Sequence, residues 1–203
     1  MKRIAWRSMS VVVGAALVAG AMAFAQPEKK ADQPADHNAE MEAWQKSAQP
    51  GEHHKHMEKF AGEWDAKVSS WMAPGTEPMV SHGVMKNTMV LGGRHLIHEF
   101  KGDMMGEVFE GKGSWSYDNN AKRYVGVWID SMSTGPMVSY GTCDAAGKVF
   151  TMIGDTAEPG GKVSKTREVV TYKDANTNTM EMFTTGPDGK EFRVMEIVYT
   201  RRK

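Results

Sequence analysis

The sequence predicts an all-β fold: an antiparallel up-and-down β-barrel of about ten strands, preceded by a short N-terminal helical segment. Three observations predict it. From Gly62 onward, apolar and polar residues alternate with a period of two in short segments. Turn signals separate those segments at intervals too short for a crossover helix, and no helix-length apolar pattern follows residue 62. Short links make sequential strands antiparallel neighbours. A long meander tends to close on itself because closure removes its exposed edges. A flat sandwich is the second architecture that fits this pattern.

Composition sets the outer bounds. The 203 residues carry 25 Lys+Arg against 25 Asp+Glu, with no basic stripe, so binding to a nucleic-acid backbone is not expected. A hydrophobic fraction of 40% supports a core and is too low for a membrane bundle. Cys143 is the single cysteine, which excludes an internal disulfide. It lacks a surrounding motif and reads as a buried, inert strand residue.

The elements follow in order. Residues 1–25 read as a signal peptide: Lys2, Arg3 and Arg7 at the start, a small and apolar run over Ser8–Met22, and a small-x-small site at Ala23-Phe24-Ala25. The run is rich in Ala and Gly and too weak for a membrane span, so an exported protein, periplasmic or secreted, with no span after cleavage is expected. Removing these residues takes three basic charges and leaves the remainder acidic by three. Residues 26–51 read as a polar tether with a short helix over Ala39–Ala48, broken at Pro50-Gly51. The barrel domain is assigned to residues 52–203, opening with a helical turn or two over Glu52–Phe60 that Gly62 ends.

Strands are then expected at 64–72, 79–91, 93–101, 106–117, 122–131, 136–143, 148–154, 162–173, 177–185 and 190–202. Between them stand turn sequences such as Leu91-Gly92-Gly93, Asp118-Asn119-Asn120, Asp144-Ala145-Ala146-Gly147 and Gly186-Pro187-Asp188-Gly189.

Gly62-Glu63-Trp64 after a short helix, with Tyr199-Thr200-Arg201-Arg202 at the end of the last strand, resembles the calycin superfamily of lipocalins and fatty-acid-binding proteins. The resemblance implies that Trp64 plugs one barrel end beneath Arg201 or Arg202. A more specific set resembles the bacterial domain-of-unknown-function 1579 family, placed with the lipocalin-like barrels. It comprises Phe60–Trp64, Trp71–Gly75, Leu91–Arg94, Tyr124–Ser131 and Tyr199–Arg201. That resemblance implies the fold and carries no activity.

In a barrel, alternate residues face the lumen. With Trp64 inward, Ala66, Val68 and Met72 are expected inward too. Phe109, Gly111, Gly113, Trp115 and Tyr117 share one face, and Tyr124, Gly126, Trp128 and Asp130 share another. The glycines are expected to leave space between the rings. Asp130 either stands in the lumen or caps the Ser131–Gly135 turn at the rim. One of His95 and His98 faces inward in either register. Arg167 and Glu168 interrupt one otherwise apolar strand and Glu196 another; Arg167 and Glu196 would pair, or bind a polar head group, if both pointed inward. His53-His54-Lys55-His56 has metal-ligand chemistry, but without an i, i+4 His pair it reads as a solvated polar face. The 17 methionines suit irregular core space or a soft pocket wall. No nucleophile elbow, phosphate loop or paired-Cys motif occurs, so no cofactor is expected.

Three functions remain open. The first is a module binding a small apolar or amphipathic ligand, with Phe109, Trp115, Tyr124, Trp128, Asp130, His98 and Arg167 as candidate site residues. The second is a structural or interaction domain with a filled barrel. The third is an enzyme with His98 or Asp130 as general base.

Overall fold

The computed structural model describes residues 37–203 except 105, 159 and 187. The expected signal peptide of residues 1–25 and residues 26–36 of the expected tether lie outside the described residues. Two helices, α1 (His37–Ser47) and α2 (Glu52–Glu58), precede ten strands. These are β1 (Gly62–Ser70), β2 (Met79–Val90), β3 (His95–Met104), β4 (Glu107–Asp118), β5 (Arg123–Asp130), β6 (Met137–Cys143), β7 (Val149–Ala157), β8 (Val163–Asp174), β9 (Thr177–Thr185) and β10 (Glu191–Arg201).

Each strand pairs antiparallel with its sequence neighbours, and β1 pairs with β10, so the sheet closes into a barrel. At that seam Trp64 stands opposite Arg201 and Ser70 opposite Met195. β1 ends at Ser70, two residues earlier than the alternation implies. The Trp71 amide still reaches Val194 O at 2.9 Å, but the chain then turns through Pro74 and Gly75, whose φ of +77° suits glycine. Met72 therefore lies outside the barrel, 75% exposed, rather than inward.

One barrel end is plugged. Met57 and Phe60, from α2 and the turn after it, pack onto Leu96, Tyr124, Phe150, Met152 and Val170. The His53–His56 tract is part of this plug, which corrects its reading as a solvated face. His54 is buried and its Nδ1 accepts from the Gly51 amide at 3.0 Å. His53 stacks on Tyr117 at a centroid distance of 3.9 Å and bonds the Tyr124 hydroxyl at 3.0 Å. Burial lowers the pKa of His54 and of His56. The physical reason is the helical period: a seven-residue helix laid across the barrel end turns 53, 54 and 57 toward the strands together.

The C-terminus locks the plug. Trp64 is fully buried, its Nε1 donating to Phe60 O at 2.8 Å. The Arg201 guanidinium lies 4.0 Å over the indole and donates to Ala61 O, Lys59 O and Ala175 O. Of the two basic residues expected beside Trp64, Arg201 takes the position. Arg202 points outward to Asp65 and Glu63.

Candidate functional site

Above the plug the barrel is hollow. A cavity of about 1020 Å³ fills its other half, at the upper end of the roughly 300–1,000 Å³ usual for ligand sites. Its lining runs from Phe60 and Val170 at the floor to Met132–Pro136 of the β5–β6 turn and to Ala157 and Glu158 at the end of β7. These turns sit at the end opposite α2, so the lumen's mouth lies there.

The wall is apolar and soft. Trp115 and Trp128 face the lumen from β4 and β5, Phe100 and Phe109 from β3 and β4, and methionines contribute, among them Met85, Met180, Met182 and Met195. On β4 and β5 the expected faces lie side by side, with Trp115 opposite Gly126, Gly113 opposite Trp128 and Gly111 opposite Asp130. The glycines do not leave open space, however. A Cβ on Gly111 would sit 2.1 Å from Trp128 Cζ2, and one on Gly113 2.9 Å from its Cε3. The Trp128 indole lies flat across both glycines. Trp115 and the Ser139 hydroxyl cover Gly126 in the same way. The hollow comes instead from barrel width, which ten strands set.

Asp130 is at the rim. Its Oδ2 accepts from Trp128 Nε1 at 3.0 Å and its Oδ1 from the Met132 amide at 2.9 Å. It thus fixes the indole and caps the turn, while still lining the mouth.

His98 is the inward histidine of β3. Its Nδ1 is 2.8 Å from Asn87 Oδ1, and Asn87 Nδ2 donates to Phe60 O at 2.9 Å. The asparagine oxygen must therefore accept, which places the histidine proton on Nδ1 and leaves Nε2 as a bare acceptor. Nε2 is buried without a partner among the described residues. Burial pushes the His98 pKa down to about 4, so the ring is neutral at physiological pH.

Two candidates lie elsewhere. Tyr124 does not line the cavity. It begins β5 at the plugged end, where it packs on Phe150 at 5.1 Å and is held by His53. Arg167 points outward, its guanidinium 4.1 Å over Phe183 and its Nε donating to Glu191 at 2.8 Å. Glu196 is outside as well, accepting from Arg193 at 3.2 Å, so the inward Arg167–Glu196 pair does not form.

The residue that takes the inward place on β8 is Glu168. It alternates with Thr166 and Val170, is 8% exposed, and lines the lumen at mid-height. No hydrogen bond or ion pair reaches its carboxylate among the described residues. Desolvation pushes its pKa up to about 7. Tyr199 of β10 also lines the lumen, its pKa raised by burial and then by the Glu168 charge. The sequence contains the signal for Glu168 only weakly. Val169 and Val170 follow it at both parities, so the alternation across Arg167–Val170 has no unique phase.

Cys143, at the end of β6, donates to Asp144 Oδ1 at 3.5 Å. Burial first, and then Asp144, push its pKa up to about 12, so it stays a thiol. Among the described residues no group of three or more His, Cys, Asp or Glu is placed to hold a metal ion.

No curated protein matches the chain. Among solved structures, one described as a redesigned beta barrel aligns with a TM-score of 0.41 at 13% identity, over 73% of this chain and 96% of that one. At the level of sequence families, residues 49–201 match the family described as protein of unknown function (DUF1579), and the chain belongs to that family.

Proposed function

We propose that this protein is an exported barrel that binds a small amphipathic molecule in its lumen. The observation that carries the reading is the hollow itself. A cavity of about 1020 Å³ is walled by methionine and aromatic side chains with polar residues between them. Interiors normally close to crystal-like packing, and a void this large loses dispersion contacts on every side. A filled structural barrel has no need of that loss. The methionines add adaptability, because unbranched thioether chains repack around different apolar shapes. Polar side chains, Glu168 and Tyr199 at mid-height and hydroxyl, amide and acidic residues toward the mouth, stand among the apolar ones and can orient a guest. Export rests on the leader pattern of residues 1–25.

The test is binding of the uncharged fluorophore N-phenyl-1-naphthylamine to the purified mature chain. Saturable binding at micromolar or tighter affinity, weakened by Trp128→Ala, is expected. A signal that does not saturate would return the protein to the filled-barrel reading. For export, the chain produced with its leader in a bacterial host should be recovered from the envelope fraction with an N-terminus at Gln26. Full-length chain retained in the cytoplasm would overturn it.

A further inference from the structure

Granted that the lumen is a binding site, its charge pattern narrows what enters. Among the described residues, those that line the cavity include no lysine and no arginine. The acids among them are Glu168 at mid-height, Asp103, Asp130 and Glu158 toward the mouth, and Asp155, which Lys165 engages from outside. We propose that the ligand is an amphipathic cation, an alkyl or aryl chain bearing one ammonium group, whose N–H donors are received by the Glu168 carboxylate while the chain lies along the methionine and aromatic wall.

Three features of the site support this choice over a fatty acid or a neutral lipid. The first is that Glu168 is a buried carboxylate lining the lumen, without a hydrogen-bond or ion-pair partner among the described residues. An isolated charge in an apolar site is costly, and a cation arriving there finds an anion whose desolvation has already been met by folding. The second is the type of group presented. Glu168 when ionised accepts only, and the hydroxyls beside it in the lumen, Tyr199 and Thr166, can each accept as well as donate. An ammonium supplies up to three donors, whereas a carboxylate supplies none. The third is repulsion: an anion would have to pass Asp103 and Asp130 at the mouth, where Lys162 offsets only Glu158, and stop beside a carboxylate with no arginine among the described lining residues to receive it.

The titratable groups facing Glu168 are few. On β7 its partner in register is Met152 and on β9 Met182. His98 and Tyr199 line the same lumen from β3 and β10, and Asp103, Asp130 and Glu158 stand nearer the mouth. The two outward charges of β8 nearest it are already paired, Arg167 with Glu191 and Lys165 with Asp155. A carboxyl that titrates near neutrality must lose its proton to pair with an ammonium. Cation affinity therefore rises with pH through about 7, while affinity for an uncharged guest does not.

The experiment is displacement of N-phenyl-1-naphthylamine from the mature protein by three guests of equal chain length: dodecylammonium, dodecanol and dodecanoate, each below its micellar concentration. The expected order at pH 8 is dodecylammonium strongest and dodecanoate weakest, with about tenfold or more between the two. Glu168→Gln should erase the advantage of the amine over the alcohol and leave alcohol binding intact. Between pH 6 and pH 8 the wild-type protein should gain affinity for the amine alone. Dodecanoate displacing the probe as well as the amine does, or an amine advantage that survives Glu168→Gln, overturns the cation proposal while leaving the lumen as a binding site. Should the probe itself fail to bind, the lumen reading falls and this inference with it. The wild-type pH series decides the matter even if the Gln variant does not fold.

Discussion

At the scale of single residues, the lumen holds two titratable groups that pull stability in opposite directions over one pH window. His98 prefers to be neutral in the folded state, with a pKa of about 4 against about 6.5 unfolded. The unfolded chain binds more protons between those values, so the histidine's contribution is present above pH 6.5 and lost as pH falls toward 4. Glu168 is the reverse: its folded pKa of about 7 lies above its unfolded value near 4.5. Its contribution is present below pH 4.5 and lost as pH rises through 7. Each difference corresponds to about 3 kcal/mol at full extent. The two slopes offset one another in the wild-type protein between about pH 4.5 and 6.5. Urea titrations across pH 4–8 should therefore find Glu168→Gln gaining stability as pH rises from 4 to 6.5, and His98→Gln losing it from 4.5 to 7. Parallel curves for both variants and wild type would show that neither group is shifted. Trp64 supports a simpler expectation. With its ring fully buried and its indole nitrogen bonded to Phe60 O, Trp64→Ala should cost roughly 3–5 kcal/mol in the same titration, and a cost below about 1 kcal/mol would remove it from the core.

At the scale of elements, β4 and β5 form a wall in which glycines seat a ring. The Trp128 indole lies over Gly111 and Gly113, pinned at its nitrogen by Asp130. Gly111→Ala would push a methyl into that ring and should cost about 1–3 kcal/mol by overpacking, with an altered tryptophan emission spectrum as the local sign. An unchanged spectrum and melting point would mean that the indole does not rest there. The same two strands show how much the sequence discloses. On β4 the inward face is legible because Phe109, Trp115 and Tyr117 fall at one parity with Glu110, Lys112, Ser114 and Ser116 at the other; on β5 Tyr124 and Trp128 share a parity, with Val125, Val127 and Ile129 at the other. β8 is less legible. Thr166, Glu168 and Val170 compete with Arg167 and Val169 for the inward phase, and only the partner strands decide it. α2 is less legible still, because a seven-residue helix carries too little pattern to reveal what lies against it. The void cannot be read at all, since it depends on how far the strands stand apart and not on any residue type.

At the scale of the whole molecule, the barrel depends on the seam between its first and last strands. Arg201 holds that seam through its place over Trp64 and its bonds to Lys59, Ala61 and Ala175. Arg202 makes only surface pairs with Glu63 and Asp65. Arg201→Ala should thus cost about 2–4 kcal/mol, from several charge-assisted hydrogen bonds and a cation–π contact, and Arg202→Ala no more than about 1 kcal/mol. Equal losses on thermal denaturation would mean that the seam is not held where the geometry places it. The seam also sets an order in time. Trp64 and Arg201 are opposite one another in the sheet yet 137 positions apart in the chain, among the longest loops that folding must close. A chain emerging during synthesis carries β1 with one edge bare until β10 arrives, and every strand added meanwhile offers a second bare edge to the solvent. A product cut short before residue 191 can never join those edges. It would expose them permanently to other chains, so aggregation of prematurely terminated protein follows from how the circle is closed.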